Sequence, residues 1–222
     1  MSVLNDKEIE RYCKEYQLIK PYDKKKIKYA SYDLRVGKEY ILASEEKPRK
    51  LGENGVIEIP KYEVCYILTE EELNLPTDVC AFIFPRHGTV KKGILVYPQP
   101  PIDPGYKGKL YVLLHNLTTQ KIRINQKDHL ATIVFLKLSE KSAQPYGSDK
   151  ENDKYMGAKS LGELGLSRVT GFMSYTSALK ELDEKFEKFR IELLSRWLPI
   201  MLVVITIIMM ILTIIIGFRV IN

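Results

Sequence analysis

Two short segments carry the residues best suited to chemistry. Arg86 stands in Pro85-Arg86-His87-Gly88, and Asp103 and Tyr106 stand in Ile102-Asp103-Pro104-Gly105-Tyr106-Lys107-Gly108. A guanidinium on a tight turn is a fork of N–H donors suited to phosphate oxygens. A carboxylate beside an aromatic ring, with glycines near it, lets backbone come close to a ligand.

The elements around these segments are read from pattern. Asn5-Asp6-Lys7-Glu8-Ile9-Glu10 predicts a helix start, a cap ahead of acidic first-turn residues, with the helix running to about Tyr16. From Ala30 to about Leu138 the texture is β, in short runs separated by turns. The expected strands are Tyr40–Leu42, Val56–Ile59, Val64–Leu68, Val79–Phe84, Ile94–Tyr97, Lys109–His115, Lys121–Ile124 and Ala131–Leu138. Many short strands with Gly and Pro punctuation predict a mainly β barrel or jelly roll behind a short N-terminal helix.

Four regions follow: a domain over 1–140, a flexible arm or linker over 141–177, an amphipathic juxtamembrane helix over 178–197 and a transmembrane helix over 198–218. The arm is polar and poor in large apolar groups. In the third region Leu179, Leu182, Phe186, Phe189 and Leu193 recur at spacings of three and four, as in a short coiled coil or a single amphipathic helix. Leu198 to Phe218 is 21 residues without a charge. That is long enough to cross a hydrocarbon core of ~30 Å. Trp197 sits at its edge, as an interfacial aromatic does. Lys180, Lys185, Lys188, Arg190 and Arg196 precede it and only Arg219 follows, so the main domain is expected in the cytoplasm, on a tail anchor.

The 34 basic and 28 acidic residues give a net charge of +6, which suits a polyanionic ligand, an anionic membrane surface or merely a solvated lysine-rich surface. No dense Lys/Arg run alternates with aromatics, so nucleic acid is not an expected partner. Cys13, Cys65 and Cys80 are odd in number and widely spaced, which argues against a disulfide framework or a zinc site. The charged N-terminus has no apolar core of a signal peptide.

The motifs resemble the dUTPase and dCTP deaminase superfamily over roughly residues 1–140. Leu4-Asn5-Asp6-Lys7-Glu8-Ile9, Ile19-Lys20-Pro21 and Ala30-Ser31-Tyr32-Asp33-Leu34-Arg35-Val36-Gly37 are similar to the deaminase opening. The resemblance implies a dUTPase-like distorted barrel, a homotrimer with sites between subunits, and a pyrimidine deoxynucleoside triphosphate as ligand. It gives Asp33 a supporting role, holding a basic partner. It assigns phosphate binding to Arg86 and Gly88, with His87 in place of a serine and Lys91 in place of an arginine. Asp103 becomes the base that orients and deprotonates a water at the α-phosphate, with Mg2+ carried by the triphosphate rather than by protein ligands. Tyr106 would pack on the deoxyribose. Ala131-Thr132 stands in the fourth motif, where Thr132 replaces a glutamine at the phosphates.

Three departures shape the functional expectation. The deaminase glutamate on the strand after the third motif is Leu113 here, and leucine cannot transfer a proton. The base-reading hairpin is Tyr97-Pro98-Gln99-Pro100-Pro101, whose prolines remove backbone donors and leave Tyr97 and Gln99 as candidate base contacts. The Gly-rich closing arm of dUTPases has only a distant counterpart in Lys154-Tyr155-Met156-Gly157-Ala158-Lys159. The expectation is a membrane-anchored nucleotide pyrophosphatase. A silent nucleotide sensor or trimeric scaffold of the same fold is the alternative, and dCTP deamination comes third.

Overall fold

The computed structural model describes residues 1–149, 153–167 and 175–221, with the side chains of 175–177, 180 and 217–221 left aside. The chain forms two compact units, Met1–Thr176 and Ser177–Asn222. In chain order the first holds β1 (Ser2–Val3), α1 (Asp6–Glu15), β2 (Ile19–Lys20), β3 (Ile27–Lys28), β4 (Ser31–Leu42), β5 (Arg49–Lys50) and β6 (Val56–Ile59). It continues with β7 (Val64–Asn74), β8 (Val79–Phe84), α2 (His87–Lys91), β9 (Ile94–Val96), β10 (Lys107–Asn116), β11 (Ile122–Asn125) and β12 (His129–Lys137).

The sheet order is β1-β12-β4-β7-β10-β9, with β8 on β12, β2 on β7, and β3 and β5 on β4. A two-stranded ribbon of β6 and β11 lies off this path. Strand pattern explains the curl. Along β10 every second side chain is buried, so Leu110, Val112 and Leu114 face inward. Two core clusters result, one under α1 around Tyr32, Leu34 and Phe135, the other around Ile57, Ile67 and Val112. Ile83 of β8 packs against both.

β4 is much longer than the three residues expected, because Gly37 lets it pass β7 closely. A Cβ there would stand 2.6 Å from the Thr69 carbonyl oxygen. β7 extends through Glu70-Glu71-Glu72, a run that hides a strand. Glu71 is buried there because its carboxylate accepts from the Arg35 backbone N–H at 2.8 Å and from Arg35 Nε at 2.5 Å. At α1 the cap is as expected. Asn5 Oδ1 accepts from the Glu8 N–H, and Glu8 Oε2 accepts from the Asn5 N–H.

The arm differs from the flexible linker expected over 141–177, of which 150–152 and 168–174 lie outside the described residues. Residues 153–167 lie against the sheet. The Gly157 N–H donates to the Lys107 carbonyl and the Lys109 N–H to the Ala158 carbonyl, both at 2.7 Å. Ala158, Leu161 and Leu164 are buried with Ile41 and Leu68 in a satellite cluster. Three small or medium apolar groups suffice, because the outer face of the sheet offers Tyr66 and Tyr111 to cover.

The second unit is one helical run: α3 (Tyr175–Glu192), a π-helical turn at Leu193–Trp197, and α4 (Leu198–Ile221). Leu182, Phe186 and Phe189 of α3 are exposed. Among the described residues the run holds one helix long and apolar enough to cross a membrane, Glu181–Ile216. The hydroxyls of Thr206 and Thr213 donate back to the Leu202 and Met209 carbonyls at 2.8 Å, leaving few polar groups unmet.

Candidate active site

Asp33 anchors the first half of the site. It points from β4 and is 2 % exposed. Its Oδ1 accepts from Thr132 Oγ1 at 3.0 Å and forms an ion pair with Arg86 Nε at 3.2 Å. Its Oδ2 lies 3.2 Å from His129 Nδ1 and 4.0 Å from Lys28 Nζ, yet neither it nor Nδ1 has an aligned hydrogen bond. Register explains the meeting: Thr132 pairs with Asp33 across β12 and β4, and with Phe84 across β12 and β8. The chain leaves Phe84 directly into Arg86.

Arg86 is not on the tight turn expected. It is the N-cap residue of the short helix α2, whose Thr89 and Val90 N–H groups donate to its carbonyl. With its Nε turned to Asp33, Arg86 lines a cavity of about 240 Å³ together with Gly88, Lys92, Arg123, Asp128 and His129. Arg86, Lys92 and Arg123 bring three cationic side chains to its lining, Arg86 paired with Asp33 and Arg123 with Glu58, and such a lining suits an anion. His87 and Lys91 are exposed and do not line this cavity; Lys92 takes that place. Thr132 commits its hydroxyl to Asp33 rather than to the cavity.

Lys26 and His129 complete the arrangement. Lys26 Nζ lies 3.3 Å from His129 Nε2. Burial lowers the His129 pKa below its ordinary value, and the nearby Arg86 and Lys26 charges lower it further against the opposing pull of Asp33.

Asp103 and Tyr106 line a second cavity, of about 260 Å³, with Gln99, Tyr111 and the arm residues Tyr146 and Tyr155 among its walls. Ile102 is fixed to Ala81 by hydrogen bonds in both directions, and the Tyr106 N–H closes the turn on the Asp103 carbonyl at 3.2 Å. Gly105 at φ 90° is required there, since a Cβ would meet the Tyr146 carbonyl at 2.8 Å. Asp103 is exposed. Tyr106 is 6 % exposed; its hydroxyl donates to the Lys109 carbonyl and its ring meets Tyr146 edge-on at 5.4 Å. Gln99 Nε2 donates to the Tyr111 carbonyl at 2.9 Å. Tyr97 is outside both cavities, with its hydroxyl 3.2 Å from His115 Nδ1. Leu113 lies on β10 and accepts from the Tyr97 N–H.

Of the sequence-predicted residues, Arg86 and Gly88 line one cavity, with Asp33 and Thr132 tied to it through the Asp33–Arg86 ion pair. Asp103, Tyr106 and Gln99 line another, with no lining residue shared, and His87, Lys91 and Tyr97 line neither. Sequence reasoning missed Lys26, Lys92, Arg123 and His129. Lys92, Arg123 and His129 meet only in the cavity, and Lys26 is found only by its contact with His129, 103 positions away. Among the described residues no group of three or more His, Cys, Asp or Glu is placed to hold a metal ion. Asp33 is engaged as above, and Asp128 Oδ2 accepts from the Asn125 backbone and side-chain nitrogens.

A curled antiparallel sheet with an aspartate-held arginine over a basic cavity defines a dUTPase-like domain. The sequence matches the dCTP deaminase-like family over residues 3–138. The chain belongs to that family, within the dUTPase and dCTP deaminase superfamily. It is 31% identical over 137 residues to a dCTP deaminase of Pyrococcus abyssi, covering 62% of this chain and 87% of the relative. It is 28% identical over 177 residues to a dUMP-forming dCTP deaminase of Methanosphaera stadtmanae, covering 71% and 90%. The solved 2'-deoxycytidine 5'-triphosphate deaminase of Agrobacterium tumefaciens shares the fold, with a TM-score of 0.51 at 21% identity over 60% of this chain and 48% of that one.

Proposed function

We propose that this chain is a dUTPase-type nucleotide pyrophosphatase that cuts a pyrimidine deoxynucleoside triphosphate to monophosphate and pyrophosphate. It acts as a homotrimer, held to the cytoplasmic face of a membrane by its C-terminal helix. One observation carries hydrolysis over deamination. The half-buried face of β10 presents Lys109, Tyr111, Leu113 and His115, with no carboxylate to move protons at a pyrimidine ring.

The Asp103 carboxylate remains, exposed at a rigid turn. It takes a proton from water as the water oxygen bonds the α-phosphorus, and the bond to the bridging oxygen breaks to release pyrophosphate. Arg86, fixed through Nε, meets the phosphate charge with its remaining N–H groups, with Lys92 and Arg123 beside it. Mg2+ carried by the phosphate oxygens would screen their charge. In the homotrimer Asp103 of one copy works with Arg86 of another, a reading supported by the two residues lining different cavities of one chain. The Tyr106 ring reaches a sugar only where Tyr146 moves aside.

Deamination of dCTP is the second reading, favoured by the names of the relatives. One product analysis separates the two. The full chain in detergent micelles, given dCTP and magnesium, is expected to yield dCMP and pyrophosphate. Formation of dUTP or dUMP would replace this proposal with deamination. Absence of any product from dCTP, dUTP and dTTP would leave a nucleotide-binding scaffold.

A further inference from the structure

His129 has a place in the anion cavity that no resemblance assigns. Its ring is wedged between the buried Asp33 carboxylate and the Lys26 ammonium, at 3.2 Å and 3.3 Å. An ammonium can only donate, so Nε2 must accept and the ring is neutral with its proton on Nδ1. The charged groups facing the ring are Asp33 of β4, Lys26 of the turn before β3, Lys28 of β3 and Arg86. Arg35, its register partner on β4, is committed to Glu71. Three cations against one carboxylate keep a second proton off Nε2. Lys92, Arg123 and Asp128 share the cavity beyond.

We propose that His129 is a proton-linked positioning residue of the phosphate site: an entering polyphosphate draws the Lys26 ammonium off Nε2, and the freed imidazole takes up a proton and donates to the same anion. The inference rests on the reading of the Arg86 cavity as the phosphate site. Its basis in geometry is that Arg86 and His129 line one cavity while Lys26 Nζ lies 3.3 Å from His129 Nε2. The sign follows directly. The bound state holds more protons than the free state, so binding tightens as pH falls. The window opens below neutrality in the free protein, whose His129 titrates below the ordinary 6.5, and extends upward once the anion is bound. Lys26 then serves twice, as the group that keeps the ring neutral and as a phosphate ligand.

The test is calorimetry of inorganic tripolyphosphate binding to the full chain in detergent micelles, in two buffers of different ionisation heat near neutral pH. The titration of tripolyphosphate itself is common to wild type and variants, so differences isolate His129. Wild type should take up more protons on binding than His129→Gln. Its affinity should fall with rising pH more steeply than the variant's, by about threefold to tenfold per pH unit. Lys26→Met repeats the test without touching the ring. With the ammonium gone, burial and Arg86 still disfavour a second proton but one opposing charge is lost, so more of the ring is protonated before the anion arrives and uptake on binding should drop. Equal proton uptake in wild type and both variants, with binding retained, overturns the inference alone. Binding that survives Arg86→Ala unchanged, or no binding by wild type, overturns the phosphate-site reading and the inference with it.

Discussion

Arg86 and Asp103 line separate cavities of about 240 Å³ and 260 Å³ with no wall in common. The reaction proposed above needs both and is expected to draw them from two copies of the chain, and mixed assemblies make this measurable. Arg86→Ala removes the guanidinium that meets the phosphates, and should cost about 3 kcal/mol of transition-state stabilisation, roughly 100-fold or more. Asp103→Asn keeps the turn and removes the base, with a loss of roughly 100-fold or more. Either variant alone should be nearly silent. In a ring assembled at random from equal amounts of both, a site is intact only where an Arg86→Ala chain supplies Asp103 to an Asp103→Asn chain. That occurs at about one site in four, whatever the ring size. Co-expressed full chains should thus regain about a quarter of wild-type pyrophosphate release per site. The same variants mixed after separate assembly are the control. Co-assembled, folded mixtures no more active than their parents would refute the composite site and place both residues in one chain's reaction.

Three further perturbations follow from contacts already described. Asp33→Asn breaks the ion pair that holds Arg86 and weakens the Thr132 bond, so kcat/KM should fall about 10- to 100-fold, with the melting temperature changed little; unchanged kinetics would deny Asp33 its positioning role. Glu71→Ala strands the Arg35 guanidinium, 13% exposed, and should destabilise the barrel by about 3–5 kcal/mol in thermal unfolding, whereas a change below about 1 kcal/mol would mean that the buried pair contributes little. Leu161→Ala empties the centre of the satellite cluster, at a local cost of about 2–4 kcal/mol. Limited proteolysis should then cut within 153–167 while the barrel's melting temperature holds, and wild-type protection of the arm would contradict the docking seen here.

Legibility varied with how local the cause was. β6 and β8 coincide with the expected Val56–Ile59 and Val79–Phe84, because apolar runs there end at turn residues. β4 and β7 were truncated in the reading. Gly37-Lys38-Glu39 and Glu70-Glu71-Glu72 break the apolar pattern, and what permits those strands is a long-range partner, Thr69 for Gly37 and Arg35 for Glu71. The arm was misjudged on composition: burial of Leu161 depends on the sheet face it meets. At the site, Arg86 and Asp33 stand in motifs that the resemblance singles out, and the two form an ion pair. Lys92, Arg123 and Lys26 carry none, and His129 stands in the fourth-motif segment without a role assigned to it; the four converge only through the folding of α2, β11, β12 and the turn before β3.

The most direct test of hydrolysis by Asp103 is turnover in oxygen-18 water. The full chain in micelles would be given magnesium with dUTP or dCTP, beside Asp103→Asn. Attack at the α-phosphorus places the label in the nucleoside monophosphate, and the variant should release almost none. Label in the pyrophosphate, or equal turnover by Asp103→Asn, would contradict the account.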